Sequence, residues 1–254
     1  VRFKALYWQG WQDFAPHKKL GIAMHVRQRY HYSQRRWGLM GAILSLFVIF
    51  LIVPVLEKNL AAHIVLQSSF AALVLSTIYA VDRDQWSICV FFFIPYIYFE
   101  ALSFYVRSLP YLLTGYLFST IFTALAIYIL MRRILYARTI ELSLILVALM
   151  VYILFGILWA NMYFIDNCLS PESFAGVGGI APTHETFIET NEQYFNLLYY
   201  SFATMATLGM GDITPINHLA KSLTALEGMF GQLFVAIIIA KLTSVWSVSP
   251  HVKK

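Results

Sequence analysis

The sequence predicts an all-α membrane protein of six transmembrane helices, with a shorter helix and a loop turning back between the fifth and the sixth. Three observations carry that prediction. Of 254 residues, 59% are hydrophobic and only 12% charged, a balance foreign to soluble domains. From Gly38 onward, six apolar stretches follow one another, each long enough to cross roughly 30 Å of hydrocarbon at helical rise. Between the last two lies a run with glycines at alternate positions, Gly209 and Gly211. Non-helical backbone at membrane depth is tolerated only where it is buried in protein or lines a water-filled path.

The first segment, residues 1–36, carries eight of the 18 Lys and Arg residues, interleaved with Trp8, Trp11, Tyr7, Tyr30 and Tyr32. Bases mixed with aromatics predict a cytoplasmic segment lying on the bilayer surface, where rings sit among headgroups and cations meet anionic lipid, rather than a nucleic-acid-binding arm. Pro16 separates two short helices there. No cleavable leader is expected, because the basic start has no compact apolar core. Residues 37–138 then form a four-helix unit, with spans at about 38–56, 60–81, 86–106 and 110–131. The linkers are short, so neighbours run antiparallel as hairpins. Residues 139–254 hold the fifth span, about 140–165, and the sixth, about 218–246.

With both termini cytoplasmic, fifteen of the 18 basic residues fall inside and only Lys58, Arg107 and Lys221 outside. That asymmetry predicts an integral protein of a plasma or inner membrane, with residues 166–191 on the outer face. Within the fourth span there is no Lys or Arg, so little intrinsic voltage dependence is expected; Arg132 and Arg133 at its inner end read as anchors. His63 and Glu100, alone in the second and third spans, read as residues paired with polar neighbours rather than as ligands.

The run from Tyr199 to Pro215 is the most informative stretch. Alternate glycines let successive carbonyl oxygens point the same way, and such a row replaces an ion's water shell. Thr207-Leu208-Gly209-Met210-Gly211-Asp212 resembles the Thr-Val-Gly-Tyr-Gly-Asp loop of the potassium-channel family. Tyr199, Tyr200 and Thr204 fall where that family carries pore-helix aromatics and a threonine, and Asp212-Ile213-Thr214-Pro215 is similar to its exit from the filter. The resemblance covers the final third of the chain; the first four helices match in count and topology only.

The resemblance implies a voltage-gated-like ion-channel architecture, with a re-entrant pore helix at about 191–206 and a selectivity filter between the fifth and sixth helices. One copy cannot surround a pore, so it also implies a symmetric homotetramer. Potassium ions would bind the carbonyls of Thr207, Leu208, Gly209 and Met210, with the Thr207 hydroxyl at the cavity end. Gly211 and Asp212 would shape the outer mouth, supported by Tyr199, Tyr200, Thr204 and Glu227. Leu226 to Gln232 is similar to the family's inner-helix glycine region: Gly231, with Gly228 as the alternative, is either a gating hinge or a close-packing site.

Met210 stands where the family has an aromatic, and Leu208 where it has a valine. A methionine is flexible and has no hydroxyl to donate, so a weakly selective sodium and potassium pore stands beside the potassium-selective reading. A non-conducting or transporter-associated subunit is the third possibility, although pore-loop transporters carry four repeats and this chain has one. Beyond permeant monovalent cations no cofactor is expected, and no enzymatic activity. Paired intrahelical histidines for haem are missing, as is a nucleophile facing a base.

His184 and His218 flank the outer mouth and are the candidates for external pH sensing. Beyond Trp246 no regulatory module is expected. Cys89 in an apolar run and Cys168 in a polar loop read as single thiols, with a bridge between subunits as the alternative at Cys168. Gly176, Gly178 and Gly179 predict a mobile loop at 173–182.

Overall fold

The computed structural model describes residues 109–137, 142–177 and 187–248, with scattered positions between 41 and 102. The segment 1–36, most of the first three spans, His63, Glu100, His184, Gly178 and Gly179 lie outside the described residues. Four helices and one pair of short strands are bounded: α1 (Leu109–Tyr136), α2 (Leu142–Leu169), β1 (Phe174–Ala175), α3 (Phe187–Met205), β2 (Thr214–Pro215) and α4 (His218–Val248). Among the described residues, α1, α2 and α4 are long and apolar enough to cross a membrane.

Helix α1 opens with Pro110 in its first turn, where the missing N–H has no intrahelical acceptor to lose. Its hydroxyls are satisfied along the helix itself: Thr114, Thr120 and Thr123 donate to the carbonyls of Pro110, Tyr116 and Ser119. It continues past the expected end at Met131, through Arg132 and Arg133, to Tyr136. The Arg132 guanidinium lies 5.9 Å from the Tyr128 ring centroid, a cation–π contact one turn back. Phe118 stacks on Phe99 of the predicted third span at 5.3 Å.

Only residues 137–141 join α1 to α2, and a connection so short folds the two into an antiparallel hairpin. Contacts across the pair agree: the Tyr116 ring lies 4.1 Å from Phe164, and Asn161 Nδ2 donates to Ser119 Oγ at 3.1 Å. Helix α2 is central, packing against α1, α3 and α4, and it carries five of the eleven largest fully buried side chains: Tyr163, Phe164, Met150, Leu154 and Ile157. It runs four residues beyond the predicted end, which corrects the placement of Cys168 in a polar loop. Cys168 lies one turn beyond Phe164 on the same buried face, is 3% exposed, and carries a free thiol.

The loop predicted to be mobile is fixed at its start. β1 pairs antiparallel with β2, Phe174 opposite Pro215 and Ala175 opposite Thr214, and the Ser173 carbonyl accepts from Ile216 N at 2.8 Å. Ser173 and Phe174 are fully buried. Gly176 has φ +87° and abuts the Asp212 carbonyl, so both the left-handed backbone and the lack of room for a Cβ require glycine. The three glycines counted as flexibility; the first of them is a close approach.

Helix α3 runs antiparallel to α2, with Tyr194 donating to Asn161 Oδ1 at 2.9 Å and Ser201 Oγ 2.7 Å from the Gly156 carbonyl. Helix α4 buries one stripe at helical spacing, Ala220, Glu227, Gly231 and Phe234, against α2 and α3. Its other faces are bare in the single chain: Leu226, Met229, Leu233 and Ile237 are exposed.

Candidate functional site

The site is the chain between the end of α3 and the start of α4. Helix α3 stops partway along its neighbours, meeting α2 at Gly156 and α4 at Gly231. A Cβ placed on Gly231 would stand 2.7 Å from the Met205 carbonyl oxygen, so the glycine lets α4 touch the last residue of α3. Gly228 has nothing within 4 Å of the corresponding position. The chain then returns to the end it came from. Asn217 Nδ2 donates to Ser173 Oγ at 2.6 Å and to Asp166 Oδ2 at 3.2 Å, while its Oδ1 caps α4 by accepting from Ala220 N at 2.6 Å. From Gly156 to Asp166 along α2 is about 15 Å at helical rise, which is the depth of this excursion.

The turn at the bottom is a Schellman closure. Leu208 N bonds to the Ala203 carbonyl at 2.8 Å and Thr207 N to the Thr204 carbonyl at 3.0 Å, with Thr207 in the left-handed position at φ +55°. Glycine is usual there, and a β-branched residue is an outlier. Positive φ then recurs at Gly209 (+61°) and Gly211 (+81°), whereas Leu208 and Met210 keep negative values. Successive residues of alternating handedness align their N–H groups on one side, which leaves the carbonyls facing the other.

Leu208 and Met210 are 61% and 64% exposed, and among the described residues nothing beyond the adjacent ones lies within 4 Å of a Cβ position at Gly209 or Gly211. Thr207 Oγ1 donates to its neighbour's carbonyl, Ala206 O, at 2.7 Å. Asp212 is exposed, and the Tyr199 hydroxyl interacts with its carboxylate. Tyr200 is buried behind the loop, its hydroxyl 2.9 Å from Thr224 Oγ1 and its ring edge-on to Tyr163 and Phe174 at 5.5 and 5.4 Å. Thr204 contributes its carbonyl to the closure. His218 is the exposed first residue of α4, beside the Asn217 cap.

Glu227 is 0% exposed. The Tyr163 hydroxyl donates to its Oε2, and Ser201 Oγ lies 2.5 Å from its Oε1. Three helices therefore meet at one carboxyl group behind the loop. Of the predicted site residues, the structure brings together Thr204 at the end of α3, residues 207–212 on the loop, and Tyr200 and Glu227 behind it. Sequence reasoning missed Tyr163, Ser201, Asn217, Ser173 and Asp166. The available signal was a polar side chain inside an apolar run, as for Ser201, and that marks a residue without naming its partner.

Residues 147–247 match a family model described as "Ion channel". No curated protein and no solved structure matches the chain. The family match supports a pore-loop ion-channel family and an ion-channel function, and with it an oligomeric assembly. Together with the three apolar helices it supports an integral membrane protein.

Proposed function

We propose that residues 147–247 form one quarter of the pore of a potassium-selective channel, with α3 as a re-entrant pore helix and Thr207, Leu208, Gly209 and Met210 presenting the carbonyl ligands. The observation that carries this reading is the alternation of φ at residues 207–211, at the foot of a helix that ends midway between α2 and α4. Carbonyls facing one side at that depth have no described partner within the chain, and desolvated potassium is the ligand whose shell such a row replaces. The C-terminal end of α3 adds its negative dipole to the same place. Gly211, Asp212 and Tyr199 belong to the mouth, and Tyr200, Thr204 and Glu227 to the support.

The homotetramer that the resemblance implies is supported by what the chain leaves bare. The Leu208 and Met210 side chains and the outer faces of α4 have no cover in the single subunit, and four copies around the row of carbonyls enclose both. Both termini lie in the cytoplasm on the count of bases, and the fourth span carries no ladder of charges. The weakly selective alternative has its own observation: Met210 is 64% exposed in the single subunit. Reversal potential in planar bilayers, with potassium opposite sodium, decides between them. A value near the potassium equilibrium supports the selective filter; a value near zero with robust current establishes the non-selective pore. Absence of current across voltage and pH counts against conduction by the homomer.

A further inference from the structure

Three oxygen–oxygen contacts meet at the junction of α2, α3 and α4, and each needs a hydrogen. They are Tyr163 hydroxyl to Glu227 Oε2, Ser201 Oγ to Glu227 Oε1 at 2.5 Å, and Ser201 Oγ to the Gly156 carbonyl at 2.7 Å. Tyr163 and Ser201 own one hydroxyl hydrogen each, and the Gly156 carbonyl has none to give. The adjoining hydroxyls of Tyr200, Thr224 and Thr204 bond one another, Tyr163 and the Ala220 carbonyl, and none of these bonds reaches Ser201 or Oε1. A full set of hydrogen bonds therefore needs a third hydrogen, and of the groups in these three contacts the carboxyl group is the one that can carry it. With that hydrogen on Oε1 the carboxyl group would donate to Ser201, leaving Ser201 to donate to Gly156 and Tyr163 to Oε2.

We infer that Glu227 is held as the neutral carboxylic acid, and that in this form it is a positioning residue for the loop at 207–211, tying the foot of α3 to both α2 and α4. Burial argues the same way, since a fully desolvated carboxylate with no cation is far costlier than a hydrogen-bonded acid. The ionisable groups that face Glu227 are Tyr152 and Tyr163 from α2 and Tyr200 from α3; among the described residues no Lys, Arg or His pairs with it. The route to the loop is short. Ser201 lies two residues before Ala203, whose carbonyl closes the turn onto Leu208, and Glu227 lies one helical turn before Gly231, which touches Met205. The positioning half of this inference rests on the channel reading; the proton does not.

The test has two readouts. The infrared difference spectrum of the purified protein minus Glu227→Gln at neutral pH reads the proton without any current. A protonated-carboxyl band in the difference supports the inference, and a carboxylate band alone overturns it. Glutamine is isosteric with the neutral acid, offers an N–H to Ser201 and a carbonyl to Tyr163, and should leave the potassium-to-sodium permeability ratio within about twofold of the native value. Glu227→Ala and Ser201→Ala each strand buried partners and should lower that ratio about tenfold or more. If the alanine variants keep the native ratio, or glutamine loses selectivity as alanine does, the positioning role is overturned. A native chain that carries no current overturns the channel reading and the positioning role with it, while the infrared band still decides the proton.

Discussion

Replacing Gly231 by alanine tests the packing of α4 on α3. The added Cβ would stand 2.7 Å from the Met205 carbonyl oxygen, 3.1 Å from its Cα and 3.3 Å from its carbonyl carbon, all main-chain atoms. Carbon contacts settle at about 3.5–4.0 Å, so the two helices must part by roughly half an ångström or more. Overpacking of this kind costs about 1–3 kcal/mol, and main-chain atoms at the end of a closed helix place Gly231→Ala towards the upper end. Losing a helical glycine returns about 1 kcal/mol. The net expectation is a destabilisation of about 2 kcal/mol. Gly228→Ala, one turn earlier with open space around it, should show the gain of about 1 kcal/mol alone. Unfolding of both variants in one detergent measures the difference, about 3 kcal/mol. Equal stability of the two would refute the close contact and return Gly231 to the hinge role.

Other substitutions bear on the loop and its moorings. Thr207→Gly should stabilise the fold by about 1 kcal/mol, because glycine accepts the left-handed closure that threonine resists, and thermal unfolding reads it. Asn217→Ala should cost about 1–2 kcal/mol through loss of the α4 cap, with further loosening as Asp166 and Ser173 lose their shared donor; the same melts report it. Met210→Tyr should move the reversal potential towards the potassium value in bilayers, and an unmoved potential would detach that side chain from selectivity.

The helices at 109–136, 142–169 and 218–248 were legible because apolar runs bounded by polar residues fix where a chain can cross hydrocarbon. Their ends were less so. Asp166, Asn167 and Cys168 read as loop, yet one face of that turn is sealed by the packing around Phe164, and burial extends the helix beyond its apolar run. Gly176 was misread for a different reason: composition records a glycine's freedom but not the Asp212 carbonyl that leaves it no room. The loop itself was legible through its alternate glycines, although nothing local marked Thr207 as left-handed. Glu227 was visible as a lone acid. Its partners were not, since Ser201 lies 26 residues away and Tyr163 lies 64, and only the folded chain makes them neighbours.

The loop between α3 and α4 is moored at both ends, by the closure at Thr207 below and by Asn217 and the β1–β2 pair above. Surface loops normally absorb an inserted or deleted residue because one end is free to adjust. Here neither is. The number of residues between the two moorings is therefore a structural constant, and an insertion shifts the handedness of every later position by one. A glycine would then fall where negative φ is needed and a bulky residue where positive φ is needed. Substitution in this stretch therefore disturbs the loop less than any change in its length.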